Sequence, residues 1–371
     1  MNIEHLDYYL VGGAVRDTLM GYEPKDRDYV VVNSSVEEML SLGFEQVGKD
    51  FPVFLHPETR EEFALARKER KTGLGYNGFT VETHQVTLEE DLLRRDLTIN
   101  AMAMDKKGNL IDPYHGQLHL KNKILAHVSP FFQEDPLRVL RVARFAARYN
   151  FDVHSDTISL MKHIVQRDEI KHLTPERVWK EFEKVLQEPY LLSFFTILEK
   201  IDALKDLGSF STILKNPNFI QSSLFPSFIE QQNISDLLLI QIFQDFQKNH
   251  FKNISVPQKT IELVSILNDY KNNPLFYQYF NPEEKLKFLK RTQSIHSNEK
   301  AIFILQSIFL QKSFEDYESH LNIYLKDVEK LKNIPYEDIR KQSNNKNIGT
   351  LIQEAQIQSL QFQESTKSLK I

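Results

Sequence analysis

The chain has 371 residues, 41% of them hydrophobic, which is enough for two or three domains with cores of their own. It contains no cysteine, which excludes disulfides, thiolate metal sites and a cysteine nucleophile, and fits a reducing compartment. The formal net charge of −5 excludes a generally basic binder of nucleic acid, so any such contact has to use local patches.

A glycine turn is predicted close to the N-terminus. The residues Tyr8-Tyr9-Leu10-Val11 predict a short strand that leads into Gly12-Gly13. Without a Cβ, glycine lets backbone N–H groups approach a phosphate, and Arg16 is placed to bind the same anion. A Gly-Gly pair before a helix is more often only a turn, so this pattern alone is a weak indication.

Two carboxylates follow the turn. Asp26 and Asp28 are two residues apart, and the next four residues, Tyr29-Val30-Val31-Val32, strongly favour a strand. At the period of two of a strand, both carboxylates point to one face, where they can bind magnesium. An Asp-x-Asp pair is usually part of a solvated loop, and it is the order and spacing of both motifs that favour a nucleotide site.

A dense cluster of charges lies within the apolar segment of residues 93–103. Arg94, Arg95 and Asp96 are adjacent there. One interpretation is a salt-bridged helix start, and the other places Arg95 on a triphosphate.

The composition changes near residue 134. The first third is rich in glycine and β-branched residues, which indicates an α/β region, whereas the remainder is nearly free of glycine and predicts only helices. The main boundary is expected at the predicted helix start Glu134-Asp135-Pro136. A second break is expected near Asp206–Pro217, and a short terminal helix or tail after Ser343-Asn344-Asn345.

The helix predicted after Pro136 has one apolar face and one face of arginines. At 100° per residue, Arg138, Arg141, Arg144 and Arg148 fall within an arc of about 120°. A solvated face usually mixes lysine with glutamate, so four arginines without an interspersed acid favour an anionic partner.

Taken together, these motifs resemble those of class II tRNA nucleotidyltransferases, the CCA-adding enzymes, in the bacterial branch nearest the enterobacterial form. The resemblance runs from Tyr9 to about Leu186. The segments that carry it are Lys25-Asp26-Arg27-Asp28, Gly48–Pro57, Ala64–Lys71, Asp112-Pro113-Tyr114 and Leu173–Trp179.

The resemblance implies an α+β fold with a polymerase-β-like nucleotidyltransferase head, a small mixed sheet with helices, followed by an all-α neck, body and tail. The implied domains are a catalytic head over residues 1–132, a nucleotide-recognition neck over 133–205, and a body and tail that bind tRNA over 206–371. The Arg67–Gly78 stretch resembles the flexible loop that takes part in the switch to A addition.

The resemblance also implies residue roles and partners. CTP and ATP would be the substrates, tRNA the partner and two Mg²⁺ ions the cofactors, with no membrane contact and no obligatory protein partner. The sequence has no signal-peptide pattern, and none of its apolar stretches approaches a length of about 18 residues. These two observations predict a cytoplasmic protein. The resemblance implies that Asp26 and Asp28 bind the metal ions and are catalytic, with Glu62 as a candidate third carboxylate. It implies that Asp135 and Arg138 read the base. The residues implied to contact the nucleotide are Gly13, Arg16, Arg95, Arg141 and Arg144.

The sequence departs from the family in two places. His119 stands where members often have Asp and Ala126 where they often have Arg, in a segment after Asp112-Pro113 that we expect to be strand-rich. The enterobacterial relatives also carry a phosphohydrolase domain marked by a His-Asp pair, and no His-Asp dipeptide occurs in these 371 residues. We therefore expect no phosphohydrolase activity from the C-terminal half.

Several functions remain open at this stage. The resemblance implies that the 3′-hydroxyl of tRNA attacks the α-phosphorus of CTP or ATP and releases pyrophosphate. A bacterial poly(A) polymerase shares the head and neck, and a CC-only enzyme would differ in the loop. A catalytically silent RNA-binding module is a further alternative, which the presence of both Asp26 and Asp28 disfavours.

Overall fold

The computed structural model describes residues 3–47, 53–71, 79–207, 237, 239, 242–243, 256–272, 277–312, 317–342 and 348–361. The chain divides into two compact units, Met1–Ser211 and Thr212–Ile371. Within the described ranges, no helix combines the length and the apolar character that crossing a bilayer requires. The division into head, neck and body with tail at residues 132 and 205 stays a prediction.

A seven-stranded mixed sheet forms the centre of the first unit. Its strand order is β3-β4-β5-β2-β1-β8-β9, with β2 and β5 parallel and the other neighbours antiparallel. A separate antiparallel hairpin consists of β6 and β7. The strands are β1 Asp7–Val11, β2 Asp28–Val32, β3 Glu45–Val47, β4 Val53–Leu55, β5 Glu62–Leu65, β6 Lys68–Lys71, β7 Phe79–Glu82, β8 Ala103–Met104 and β9 Leu110–Ile111.

Apolar clusters cover both faces of this sheet. Strand β2 contributes to both of them, because its consecutive apolar residues point to opposite faces. Val30 and Val32 pack into one buried cluster with Val11. Val31, which points the opposite way, packs into a second cluster with Phe63. A strand buried on both faces is a rigid support for residues placed at its end.

Helices and a short parallel pair of strands complete the first unit. Its helices are α1 Gly13–Leu19, α2 Val36–Ser41, α3 Leu88–Leu93, α4 Gly116–Lys121, α5 Leu137–Tyr149, α6 Ser155–Gln166, α7 Pro175–Val185 and α8 Leu191–Lys200. The 3-10 helices are Thr98–Asn100, Pro130–Glu134 and Glu169–His172, and the paired strands are β10 Ile124–Leu125 and β11 Asp152–Val153.

Local sequence sets the ends of several helices. A capping box begins α3, in which the Thr87 side chain accepts from the Glu90 N–H and Glu90 accepts in return. Helix α5 follows Pro136 and ends at Asn150, which is in the left-handed conformation with φ of 53°. The apolar face of α5 packs against α7 and α8.

The second unit is helical throughout its described part. Its helices are α9 Gln258–Tyr270, α10 Pro282–Arg291, α11 Glu299–Lys312, α12 Tyr317–Lys332, α13 Tyr336–Gln342 and α14 Ile348–Gln361. Asn281 begins α10 through a capping box with Glu284. Inside this unit, Lys285 Nζ lies 2.7 Å from the Asp327 carboxylate, and both residues are buried.

The fold confirms the α+β prediction and corrects three local ones. Asp26 lies in a bend before β2, so only Asp28 is on the strand. Helix α5 begins at Leu137, three residues later than predicted. The segment after Asp112-Pro113 is not strand-rich, because His119 lies on α4 and only the two residues of β10 precede Ala126. Residues 48–52 and 72–78 of two family-like segments lie outside the described residues.

Candidate active site

An open cavity of about 650 Å³ in the first unit brings the predicted site residues together. Those that line it are Gly13, Arg16, Asp26, Asp28, Arg95, Asp135, Arg138, Arg141 and Arg144. Glu62, Arg67, Arg94, Arg148 and Lys184 also line it, so nine basic and five acidic side chains surround the cavity once Asp96 is counted. The excess of positive charge suits a polyanion.

The glycine turn is set by Gly12. Its φ of +67° is a conformation that other residues rarely adopt, and α1 begins at the next residue, Gly13. A Cβ on Gly12 would also lie 2.9 Å from an Arg95 guanidinium nitrogen. Glycine is therefore favoured here by the backbone turn, and a larger residue would also displace the end of the Arg95 side chain.

The carboxylates lie at the start of β2. Asp28 is its first residue, Asp26 precedes it by two, and Glu62 is the register partner of Asp28 on β5. Burial in the cavity raises the pKa of the Asp28 carboxyl, Arg95 opposes this effect, and the charge of Asp26 adds to it.

This donor set fits a hard divalent cation. Two carboxylates that repel each other inside a cavity are relieved by such an ion, and oxygen ligands are those that Mg²⁺ prefers. In the part of the chain that the structure describes, no three His, Cys, Asp or Glu side chains converge into a metal-binding group. The candidate cation site therefore consists of the pair Asp26 and Asp28, with Glu62 as the register partner of Asp28.

One buried carboxylate holds two arginines of the cavity wall. Asp91 is 0% exposed; one of its oxygens lies 2.6 Å from Arg94 and the other 3.2 Å from Arg95. Burial alone would raise the pKa of Asp91, but the two guanidiniums outweigh it and the pKa is lowered. Asp91 thus stays ionised and fixes both side chains.

Asp96 connects the turn after α3 to helix α5. The buried carboxylate accepts from Arg141 Nε at 2.8 Å, from Asn100 Nδ2 at 3.0 Å and from the Leu97 N–H at 2.8 Å. These contacts outweigh the desolvation of the carboxylate, and they hold the pKa of Asp96 far below its usual range. Asn100 also accepts a hydrogen bond from Arg16.

Acids from other elements contact the arginine face of α5, which contains no acid of its own. Arg144 Nε donates to Glu181 on α7 at 2.8 Å, and Arg141 lies 3.8 Å from the same carboxylate. Arg148 lies 3.7 Å from Asp17 of α1. The acids are supplied by other elements, which a helical projection of one segment does not reveal.

The base-reading candidates are held by contacts of their own. The Asp135 carboxylate lies 2.9 and 3.1 Å from Arg177 and accepts from the Leu137 N–H at 3.1 Å. Arg138 donates to the carbonyls of Phe131, at 2.9 Å, and Arg94. Asp135 therefore accepts from the first backbone N–H of α5, as a capping residue does, and also lines the cavity.

Sequence reasoning missed the residues behind the wall. Asp91 was visible in principle, because it lies on α3 and precedes Arg94 and Arg95, at the end of that helix, by three and four residues. Glu181, Asn100 and Arg177 gave no local signal, since their partners lie 37 to 84 residues away.

Two family models match the first unit. Residues 8–126 match the "Poly A polymerase head domain", and residues 150–207 match the "Probable RNA and SrmB- binding site of polymerase A". The chain is 60% identical over 200 residues to the "Multifunctional CCA protein" of Shewanella frigidimarina, covering 53% of this chain and 48% of that protein. The protein of the same name from Aliivibrio salmonicida is 59% identical over 203 residues, covering 54% and 50%.

The chain spans about half the length of the curated relatives it matches. Among solved structures, a CTP complex of the CCA-adding enzyme of Bacillus stearothermophilus has a TM-score of 0.73 at 20% identity, covering 96% of this chain and 90% of that one. A "tRNA-processing enzyme complex" has a TM-score of 0.62 at 26% identity, covering 96% and 98%. These two likenesses extend over both units, whereas the matches to the curated relatives cover only about half of the chain.

Proposed function

We propose that this chain, whose residues 8–126 and 150–207 match the two family models, is a tRNA nucleotidyltransferase that adds C, C and A to the 3′ end of tRNA from CTP and ATP. It does so without a nucleic-acid template and releases pyrophosphate at each step. The cytoplasm, where we expect the protein, remains a prediction.

The observation that carries the proposal is the set of side chains that line the cavity of the first unit. A carboxylate pair for a divalent cation, a wall of arginines for a triphosphate, and an acceptor beside a donor for a base all line it. The relatives named for CCA, and the solved complexes of CCA-adding enzymes with CTP and with ATP, support the same substrates.

The residues would act on a nucleotide that lies across the cavity. Arg95, Arg16, Arg141 and Arg144 would bind the triphosphate oxygens and neutralise the charge that accumulates on them as the bond to the α-phosphorus breaks. The 3′-hydroxyl of tRNA is the nucleophile, so no covalent intermediate with the protein forms. The arginines are already oriented by Asp91, Asp96 and Glu181, which limits the reorganisation required during the reaction.

Asp26 and Asp28 would hold the Mg²⁺ ions. When bound, magnesium lowers the pKa of the attacking hydroxyl and neutralises charge on the departing pyrophosphate. Ligation requires the ionised carboxylates, and Arg95 opposes the rise in the pKa of Asp28 that burial causes.

A second candidate is poly(A) synthesis, because the family model of residues 8–126 is described as a poly(A) polymerase head. The two functions differ in their products: a CCA-adding enzyme stops after a single A, whereas a poly(A) polymerase continues from ATP alone. A CC-only enzyme would stop before A.

The test is an addition assay with the purified chain. We incubate it with Mg²⁺ and tRNA that lacks its last three nucleotides, supply each nucleoside triphosphate singly and together, and sequence the products. We expect CC from CTP alone and CCA from CTP with ATP. Long A tracts would favour poly(A) synthesis, and an unchanged tRNA would refute nucleotidyl transfer.

Asp28→Ala is the matching loss-of-function variant. We expect it to lower the rate at least about a thousandfold, because metal ligands contribute several kcal/mol of transition-state stabilisation, while tRNA affinity in a filter-binding assay changes little. Asp152→Ala removes an exposed carboxylate on β11 outside the cavity, and it should act like the wild type. Incorporation of CMP by Asp28→Ala at the wild-type rate would contradict the metal assignment.

A further inference from the structure

Two aromatic rings of α5 lie beneath the arginines of the cavity wall. Phe145 and Tyr149 stack with centroids 6.2 Å apart and planes 5° from parallel. Phe145 is 4% exposed and lines the cavity. The Tyr149 hydroxyl is fixed by a hydrogen bond of 3.3 Å to Asp17. The two residues therefore form one continuous platform along the helix.

Four guanidiniums lie over this platform. Over Phe145, the distances from the guanidinium carbon to the ring centroid are 4.6 Å for Arg144, 5.4 Å for Arg16 and 5.8 Å for Arg141. Over Tyr149, Arg16 and Arg148 both lie at 5.2 Å. All of these distances are within the range of about 6 Å in which a cation is attracted to the negative face of a ring.

The wall needs this support because its charges repel one another. Arg16, Arg141 and Arg144 each have a carboxylate on one side, Asp17, Asp96 and Glu181 respectively. A carboxylate also competes with a phosphate for the same N–H groups. A ring face attracts the cation without occupying any donor, so it leaves available for a polyphosphate the N–H groups that no carboxylate or amide uses.

We propose that Phe145 and Tyr149 are positioning residues, an aromatic platform that holds Arg16, Arg141 and Arg144 in place to bind the polyphosphate of the nucleotide substrate. The inference rests on the proposed function, since it assigns the wall a nucleotide's phosphates. It also gives Phe145 a second role beyond packing: Arg16 belongs to α1 and the other two arginines to α5, so one ring connects the two elements.

The experiment changes the ring's charge distribution but not its shape. Phenylalanines with one, two and three ring fluorines are placed at position 145, since each fluorine weakens the negative potential of the ring face. Binding of CTP and of inorganic pyrophosphate is measured by calorimetry with Mg²⁺, and thermal unfolding is followed alongside. We expect the Kd for both ligands to rise stepwise with fluorine number, by about tenfold at three fluorines, with the melting temperature nearly constant.

Phe132 provides the matched control. It is a fully buried ring (0% exposed) whose aromatic neighbour is His127, and it does not line the cavity. The same fluorine series at position 132 should leave both Kd values unchanged. In the addition assay, the series at position 145 should raise the KM for CTP and ATP while the KM for tRNA stays constant.

The outcomes separate the two claims. Kd values that do not depend on fluorine number at position 145 would overturn the platform, and so would an absence of any CTP or pyrophosphate binding by the wild type. If the wild type binds both ligands with the expected fluorine dependence but adds nothing to tRNA, the proposed function fails and the platform stands.

Discussion

At the scale of single residues, Arg144 illustrates how the site handles charge. It is 7% exposed, which would be unfavourable for an isolated guanidinium, yet Glu181 and Glu188 lie within 2.8 and 3.6 Å of it and Phe145 lies beneath it. Asp91 and Asp96 act in the same way for Arg95 and Arg141. The acids behind the cavity wall hold the arginines in place, and we expect the arginines to contact the ligand.

We propose that two residues of the cavity, Asp135 and Arg138, decide base choice. Cytosine and adenine present an amine donor next to a ring-nitrogen acceptor, whereas uracil and guanine present a carbonyl next to a ring N–H. An acceptor-only Asp135 beside a donor-only Arg138 would match the first pair and leave polar groups unpaired against the second. Arg177 supports this by binding the Asp135 carboxylate at 2.9 Å.

We predict that in Asp135→Ala and Arg138→Ala the preference for CTP and ATP over UTP and GTP falls by at least about tenfold. Leaving a buried polar group unpaired costs about 1.4 kcal/mol or more, and about 1.4 kcal/mol corresponds to that factor. Rates with all four nucleotides give the preference, and circular dichroism verifies folding. Because Asp135 also caps α5, a lower melting temperature with unchanged selectivity would assign it to the cap alone.

At the scale of elements, α5 is the common support of the cavity. Its apolar face packs on α7 and α8, and its arginines reach α1, the turn after α3, and α7. The carboxylate of Glu181 is the main link from α7. Burial would raise the pKa of Glu181, but Arg144 and Arg141 outweigh that effect and lower it.

Glu181→Gln should therefore destabilise the first unit by about 3 kcal/mol, because it leaves Arg144 buried without its main charge partner. For a unit of this size, that corresponds to a fall in melting temperature of roughly 6–12 °C. Glu183→Gln, at an exposed position on the same helix, is the control. Equal melting temperatures for the two variants would contradict the role of Glu181.

The stability of the first unit should depend on pH through a histidine where α4 meets the 3-10 helix Thr98–Asn100. His119 Nδ1 lies 2.8 Å from Thr98 Oγ1, and burial followed by the nearby His154 and His115 lowers the pKa of His119, with Asp112 opposing. A lowered histidine pKa means that the unfolded chain binds the proton first as the pH falls below about 6.5. The contribution of this contact to the free energy of unfolding is therefore complete above that pH and is lost as the pH falls below it.

We expect His119→Asn to reduce this loss, since asparagine can place a polar atom near the position of Nδ1 but does not titrate. Melting temperatures at pH 7.5 and 5.5 are compared for both proteins, and the difference should be smaller for the variant. His5→Asn, at an exposed position near the N-terminus, should leave the difference as in the wild type. An unchanged difference in His119→Asn would show that this contact does not contribute.

Local patterns predicted much of this architecture. The strand before Gly12 and the change from sheet to helices along the chain were visible in the sequence. Both depend on the periodicity of apolar residues and on turn residues, which are properties of residues close together in the chain. The bend at Asp26 and the acids opposite the arginine face were not. Glu181 is 37 residues from Arg144, and Asn100 is 84 from Arg16, so only the folded chain brings them together.

At the scale of the whole molecule, every cavity residue belongs to the first of the two units. The second unit has a separate core of buried residues such as Leu267, Phe288 and Tyr324. Nucleotide binding and tRNA binding are therefore expected to be separable, if residues 206–371 bind tRNA as the sequence predicts.

We predict that a chain ending at Ser211 keeps its affinity for CTP within about twofold, because no lining residue is removed, and loses most of its affinity for tRNA. Calorimetry with CTP and filter binding with tRNA measure the two quantities, and circular dichroism establishes that the shortened chain is folded. Loss of CTP binding in a folded fragment would show that the second unit contributes to the cavity.

The pairing of the arginines inside the cavity also bears on the ionic conditions under which the protein works. Screening by salt weakens contacts between exposed charges far more than contacts between buried ones. Arg16, Arg141 and Arg144 have their counter-charges built into the fold and turned away from solvent. Their orientation should therefore persist as the ionic strength of the surroundings varies.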